Sequence, residues 1–314
     1  MNMSIIFKRR NPLLLLVFFL LITPFAFGQQ LNLATYNMRN DNANNGDSAR
    51  GNGWKQRLPV IAQLVRFHDF DIFGTQECLF HQLKNLETAL PDYTYTGIGR
   101  DDGKTGGEFS AIFYKKNKFK LLRHGDFWLS EITDKPNKGW DAVLPRICSW
   151  GAFQDKATGF KFYFFNLHMD HIGVVARRNS AGLVLQKIKQ LAGNAPVILT
   201  GDFNVDQTSD SYAVINNSGT LKDAYLLSPV KYALNGTFND FNPNNKTDSR
   251  IDHIFLSKDF KVKRYGILTD SYRSQKAGGS EKETSANAPK EVALQNYQAR
   301  LPSDHFPVMV VAGY

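Results

Sequence analysis

Cysteine is nearly absent from the chain: Cys78 and Cys148 are the only two among 314 residues. A metal centre built from thiolates is excluded by number alone, and at most one bridge could form. Both residues lie in apolar, strand-like stretches, "GTQEC" and "RICSW", where a free buried thiol is common, so no bridge is expected. There is no short-period internal repeat, which argues against a solenoid. Nor is there a run in which Lys and Arg interleave with aromatics, the signature of a long nucleic-acid track. Acidic residues are in deficit, 29 against 38 Lys and Arg, for a net charge of +9. That balance suits a phosphorylated or polyanionic substrate without demanding one, because surplus lysine is usually a solvated surface.

What is present begins with a short apolar run, "LLLLVFFLLI", preceded by Lys8, Arg9 and Arg10 and followed by the small residues Ala26 and Gly28. The pattern is that of a secretory signal over residues 1–28 rather than of a retained anchor, the run being short and the cleavage pattern following at once. Cleavage after Gly28 would leave Gln29 as the mature N-terminus of a secreted or periplasmic protein with no stable membrane insertion. Residues 29–314 are expected to form one catalytic domain, a monomer, with a net charge of about +6 once the three leader cations are gone.

Along that domain strands and helices alternate. "LNLATYNM" and "DIFGTQE" read as strands, and between them Trp54, Leu58, Ile61, Leu64 and Val65 recur at helical spacing. A second helical run, "LFHQLKNLETAL", stops at Pro91. Residues 93–168 hold several β-like runs with no helix between them, which implies an antiparallel section. A helix ("VVARRNSAGLVLQKIKQLAG") and the strands "PVILTGDFN", "RIDHIFLS" and "PVMVVAGY" follow. Residues 274–290, rich in Gly, Ser, Lys, Glu and Ala, read as a mobile loop.

Six strand-to-loop junctions deliver polar residues of catalytic type: Asn37, Glu77, His168 with Asp170, Asp202 with Asn204, Asp252, and Asp304 with His305. One such junction means little, whereas six point to a single rim, because functional loops sit on the ends of a rigid sheet. The ordered series "YNM", "QE", "NLHMDH", "GDFN", "RIDHIF" and "SDHFPV" resembles the endonuclease/exonuclease/phosphatase superfamily, with motifs closest to its deadenylase and nocturnin-like branch. The resemblance spans essentially the whole chain after the leader. It implies an α/β fold, a four-layer α/β/β/α sandwich of two packed mixed sheets flanked by helices. It implies hydrolysis of phosphoester bonds with Mg2+, Mn2+ being a substitute.

By the same resemblance Glu77 is the principal metal ligand, supported by Asn37, with Asp304 near the metal; a hard carboxylate suits magnesium. Strand alternation would put Asp202 and Asn204 on one face, the carboxylate to deprotonate water and the amide to donate to a phosphoryl oxygen. His305 should pair with Asp252. His168 is the candidate to protonate the leaving oxygen, oriented by Glu108. Arg146 and Arg177 could clamp phosphate oxygens. Phe238 and Phe241 could stack on a base or pack a loop, and core packing is the better reading. His171 and His253 carry no assigned role, and His68, His81 and His124 are expected at the surface or in caps. The expected activity is a phosphodiesterase, foremost a nuclease acting on RNA or DNA; the alternative is a phosphatase or phosphodiesterase acting on a lipid headgroup or a small phosphorylated sugar.

Overall fold

The structure, a computed structural model, describes residues 29–275, 282–283, 287 and 289–314. The signal segment and most of the loop expected at residues 274–290 lie outside the described residues. The chain runs β1 (Gln30–Asn37), α1 (Trp54–Phe67), β2 (Ile72–Gln76), α2 (Phe80–Ala89), β3 (Tyr93–Thr96), β4 (Ile112–Lys115), β5 (Phe119–Trp128), β6 (Ile147–Asp155), β7 (Lys161–His168), α3 (Val174–Ala192) and β8 (Val197–Asp202). It continues through α4 (Asp210–Asn216), β9 (Lys222–Asp223), α5 (Ala224–Leu227), β10 (Lys231–Tyr232), β11 (Asp252–Leu256), β12 (Lys261–Ile267), β13 (Tyr272–Gln275), β14 (Lys282–Glu283), β15 (Leu294–Gln295), β16 (Tyr297–Arg300) and β17 (Val308–Gly313).

Two mixed sheets form the centre. One has seven strands in the order β10-β12-β17-β1-β2-β4-β3, the other six in the order β5-β6-β7-β8-β11-β9. Alternation along each strand assigns its residues to two different cores. Leu31 and Leu33 of β1, Phe162 and Phe164 of β7, and Ile254 and Leu256 of β11 meet between the sheets. Ala34 and Tyr36 of β1 face the other way, onto α1 and α2. Phe165 and Leu167 of β7 pack under α3 and α4. Three cores separate four layers, as the sequence implied.

The antiparallel section expected over residues 93–168 is present but divided. β3 and β4 close one sheet while β5, β6 and β7 open the other. Several short elements escaped sequence reading, α4 and β12 among them. α4 is only seven residues, capped by Ser209, and β12 carries a bulge between Val262 and Arg264 that breaks its period of two. Cys78 and Cys148 are free and buried. Among the described residues no helix is long and apolar enough to cross a membrane.

Between the sheets the core changes character toward one end. There Asn166 accepts from Gln76 Nε2 (2.7 Å) and Thr200 Oγ1 (3.0 Å) and donates to the carbonyls of Thr75 (2.9 Å) and Ala111 (3.0 Å). It has room because residue 74 is glycine: a Cβ there would lie 2.1 Å from Asn166 Oδ1. This polar end is where the strand tips converge.

Candidate active site

Register aligns the tips. β7 and β8 pair His168 with Asp202, and β11 pairs Asp252 with the same Asp202, so the three stand in one row across the six-stranded sheet. From the other sheet, β1 and β2 pair Asn37 with Gln76, which sets Glu77 one residue beyond. Several rim residues adopt the left-handed backbone that non-glycine residues rarely use: Arg39 (φ 55°), Glu77 (φ 66°) and Asn204 (φ 49°). Here the expected alternation of Asp202 and Asn204 is corrected. The strand ends at Asp202, and Asn204 shares its side through a turn in which the Asn204 N–H donates to Asp202 Oδ1 at 2.9 Å.

Glu77, His168, Asp202, Asn204, Asp304 and His305 line a cleft of about 410 Å³. On one wall Glu77 accepts from Asn37 Nδ2 (3.0 Å) and from the backbone and side chain of Asn40 (both 3.1 Å). Burial alone would raise its pKa, but the Asn37 bond and the charges of His305 and Arg39 outweigh burial and hold it below the usual value. Asn37 also donates to Asp202 Oδ2 at 3.0 Å, joining the two sheets. Asp304, beside Arg39 (3.4 Å), is pushed up to about 6 by burial and by repulsion from Glu77.

At the centre, His305 Nδ1 lies 2.9 Å from Asp252 Oδ2, the pair expected from sequence, and its Nε2 faces Asp202 at 3.8 Å. Burial disfavours the charged ring, yet Asp252 and Asp202 raise its pKa well above the ordinary value, so His305 is an imidazolium. Asp202, buried beside Asp252, is pushed up to about 7.

His168 sits differently from expectation. Its Nε2 is 3.1 Å from Asn204 Nδ2, which also donates to the Met169 carbonyl at 3.0 Å. The carbonyl identifies Nδ2 as the donor, so Nε2 accepts and the ring proton resides on Nδ1. Burial and the charges of Arg146 and Arg100 hold His168 neutral. Glu108 stands 3.9 Å from Nδ1, beyond hydrogen-bond reach, and is engaged with Arg100 and Asn40 instead. Glu108 is pushed up to about 7 by burial against the pull of Arg100.

Of the two candidate phosphate clamps, only Arg146 lines the cleft. It is 3% exposed, its Nε bonds Asp170 at 3.2 Å, one terminal nitrogen reaches His171 Nδ1 at 2.9 Å, and the other is buried without a partner among the described residues. Arg177 lies outside the cleft, in the first turn of α3, where it donates to the Asp170 carbonyl at 2.9 Å. Phe241 packs over the Arg57 guanidinium at 5.4 Å. Phe238 is not core: it is 41% exposed at the cleft, against the His305 ring. His253 is buried against the Val205 carbonyl, His68 and His81 bond Asp270 and Asp41, and His124 is exposed on β5.

Arg39, Asn40, Arg100, His171 and Asp240 also line the cleft and carried no sequence-based role. Arg39 and Asn40 lie two and three residues beyond Asn37, close enough to have been flagged. Arg100 offered no signal, since only folding brings it to Glu108. Arg57, 1% exposed, donates to the carbonyls of Met38, Arg39, Asn52 and Pro302 and so pins two of the rim loops.

The donor set fits a hard cation. Glu77 and Asp304 repel each other across oxygen ligands, with Asn37 beside them and no thiolate in the cleft. Asp202, Asp252 and His305 also present donor atoms within 4.8 Å of one another and could hold an ion. The His305 proton already compensates those two carboxylates, so the Glu77 side is the better fit.

A family model described as the Endonuclease/Exonuclease/phosphatase family matches residues 34–305. Among solved structures, a mannosyl-6-phosphatase of Bacteroides thetaiotaomicron is 59% identical, covering 90% of this chain and 100% of that one, with a TM-score of 0.83. A second protein of that organism, described as an endonuclease/exonuclease/phosphatase family protein, is 58% identical over 91% of this chain and 98% of its own, with a TM-score of 0.84. Nocturnin of Drosophila melanogaster is 26% identical over 57% of this chain, which spans 28% of that protein's length.

Proposed function

Because the chain belongs to the endonuclease/exonuclease/phosphatase family, and is therefore a phosphoesterase of nuclease or phosphatase type, we propose that it is a divalent-metal-dependent phosphomonoesterase acting on a hexose 6-phosphate. The observation that carries the reading is Arg146: a buried guanidinium with one unpartnered nitrogen, in a bounded cleft facing the carboxylate cluster. Such a donor wants an anion with several free oxygens, which a terminal phosphate offers and a bridging diester offers less of. The 59% identity to a mannosyl-6-phosphatase, over the full length of that chain, supports the sugar phosphate. The nuclease reading finds no support in the sequence, where no run of Lys and Arg interleaves with aromatics.

Arg146 and Arg100 hold the phosphate, and Asp202, with a pKa near working pH, takes a proton from the attacking water. A phosphoryl oxygen entering beside Asn204 accepts the hydrogen bond that Asn204 Nδ2 now gives to His168. His168 is neutral in this reading and orients the Asn204 amide through Nε2, rather than serving as a charged acid. The His305 imidazolium, fixed by Asp252, offsets the charge that gathers at Asp202. The water oxygen bonds phosphorus as the phosphorus–oxygen bond to the sugar breaks; Asp202 keeps the proton taken from water, the leaving oxygen takes one from solvent, and Asp202 then returns its proton to solvent, so that one water is added overall. Glu77, Asn37 and Asp304 would hold the cation, which when bound supplies a Lewis acid that stabilises phosphoryl charge.

The test measures inorganic phosphate from mannose 6-phosphate, glucose 6-phosphate and p-nitrophenyl phosphate, p-nitrophenol from bis-p-nitrophenyl phosphate and released nucleotides from single-stranded RNA, each with Mg2+ and with chelator. The expected order places hexose 6-phosphates above the diester and RNA by at least tenfold in kcat/KM. RNA or the diester as the preferred substrate overturns the proposal.

A further inference from the structure

Residues 236–241 form a segment that the chemistry above does not use, although it forms part of the cleft. Its main chain is tied to the tip that carries the catalytic histidine. Asn239 and Asp240 both donate to the Asp304 carbonyl (2.8 and 3.2 Å), the Phe306 N–H donates to the Thr237 carbonyl (2.7 Å), and Phe238 bridges to His305. The Thr237 hydroxyl accepts from the N–H groups of Ile251 and Asp252 (2.9 and 3.1 Å). On this anchored base two successive non-glycine residues are left-handed, Asp240 (φ 53°) and Phe241 (φ 56°), braced by the Asn239 side chain accepting from the Phe241 N–H at 2.8 Å. Strain of this kind persists where the surroundings over-determine it.

The turn sets two unlike groups at the cleft. Phe238 leaves 41% of its surface open while its ring meets the His305 ring at 5.1 Å, edge to face. Asp240 lines the same cleft, and its carboxylate has no hydrogen bond or ion pair among the described residues. A free carboxylate repels phosphate, so it does not serve the phosphate end that Arg146 and Arg100 define. It is suited to accept from hydroxyl groups, as an open aromatic ring is suited to the apolar face of a saturated ring.

We infer that Phe238 and Asp240 form the subsite for a polyhydroxylated leaving group, Phe238 stacking on its ring and Asp240 accepting from its hydroxyls. The inference rests on the sugar-phosphate reading and deepens it. The same carboxylate disfavours a second phosphate beside the first, so one residue selects for a sugar and against a nucleic-acid backbone.

The experiment compares kcat/KM of the full protein on mannose 6-phosphate and on acetyl phosphate, a monoester-like substrate without hydroxyls or ring. The variants are Asp240→Asn and Phe238→Ala, with thermal melts recorded for each. Asparagine also tolerates left-handed backbone, so the first variant removes charge while keeping the turn. Each variant is expected to lose at least about tenfold more on mannose 6-phosphate than on acetyl phosphate, the scale of one lost hydrogen bond to a charged group. Equal losses on both substrates, with unchanged melting, overturn the subsite and leave the sugar-phosphate reading standing. A parent enzyme that hydrolyses acetyl phosphate but no hexose 6-phosphate overturns both.

Discussion

Asp202 and Asp170 lie a short distance apart and are tuned in opposite directions. Asp202, crowded by Asp252 and buried, is pushed up to about 7, near the pH at which a base is most effective. Asp202→Asn should lower kcat by about 10²–10⁴ with little change in KM, measured by steady-state phosphate release. Asp170 is equally hidden, but the N–H groups of Gly173 and Ile172 and the charge of Arg146 outweigh burial and hold its pKa at about 2. That value is below the ordinary carboxylate, so its stabilising contribution is complete above about pH 4 and is lost as pH falls toward 2. Asp170→Asn should cost on the order of 3 kcal/mol near neutral pH, since it breaks a buried pair with Arg146. Its melting temperature should also fall less steeply than the parent's over that acid range, as read by circular dichroism.

At the scale of elements, the spacing of the sheets at their polar end depends on the missing side chain of Gly74 in β2. A methyl group there would meet Asn166 of β7 at 2.1 Å and Thr200 of β8 at 2.6 Å. Gly74→Ala should destabilise by about 1–3 kcal/mol in urea denaturation, and activity should fall further than stability because β2 and β8 carry Glu77 and Asp202 at their tips. The elements that place the site were legible in the sequence because they are strongly patterned: the apolar runs of β7 and β8 end on His168 and Asp202, and the helical spacing after Trp54 gives α1. Asp252 with His305 and Asn37 with Glu77 were legible as motif residues, and the structure brings each pair within hydrogen-bond distance. Arg100, Asp240 and the exposure of Phe238 were not legible, because each depends on a loop conformation: Arg100 on the turn that returns to Glu108, Phe238 and Asp240 on contacts with the distant Asp304–His305 tip. The Asp202–Asn204 relation failed for a related reason: strand periodicity was carried past the strand's end at Asp202 to Asn204, whose backbone is left-handed.

For the molecule as a whole, a cation bound at Glu77, Asn37 and Asp304 would favour the folded state, since the unfolded chain does not bring these three together. Adding Mg2+ to about 100 times its dissociation constant should stabilise the protein by about 2.7 kcal/mol, visible as a higher melting temperature without any turnover. In Glu77→Gln the same addition should move the melting temperature little, and an undiminished shift would place the cation elsewhere. The bond from Asn37 to Asp202 has a temporal consequence. It joins residues 165 positions apart and is made only once the two sheets have docked. Closing so long a loop is slow, so catalysis should be among the last properties to return on refolding, trailing the far-ultraviolet signal of the separate sheets. A nascent or half-assembled chain would then be chemically inert until its final docking step.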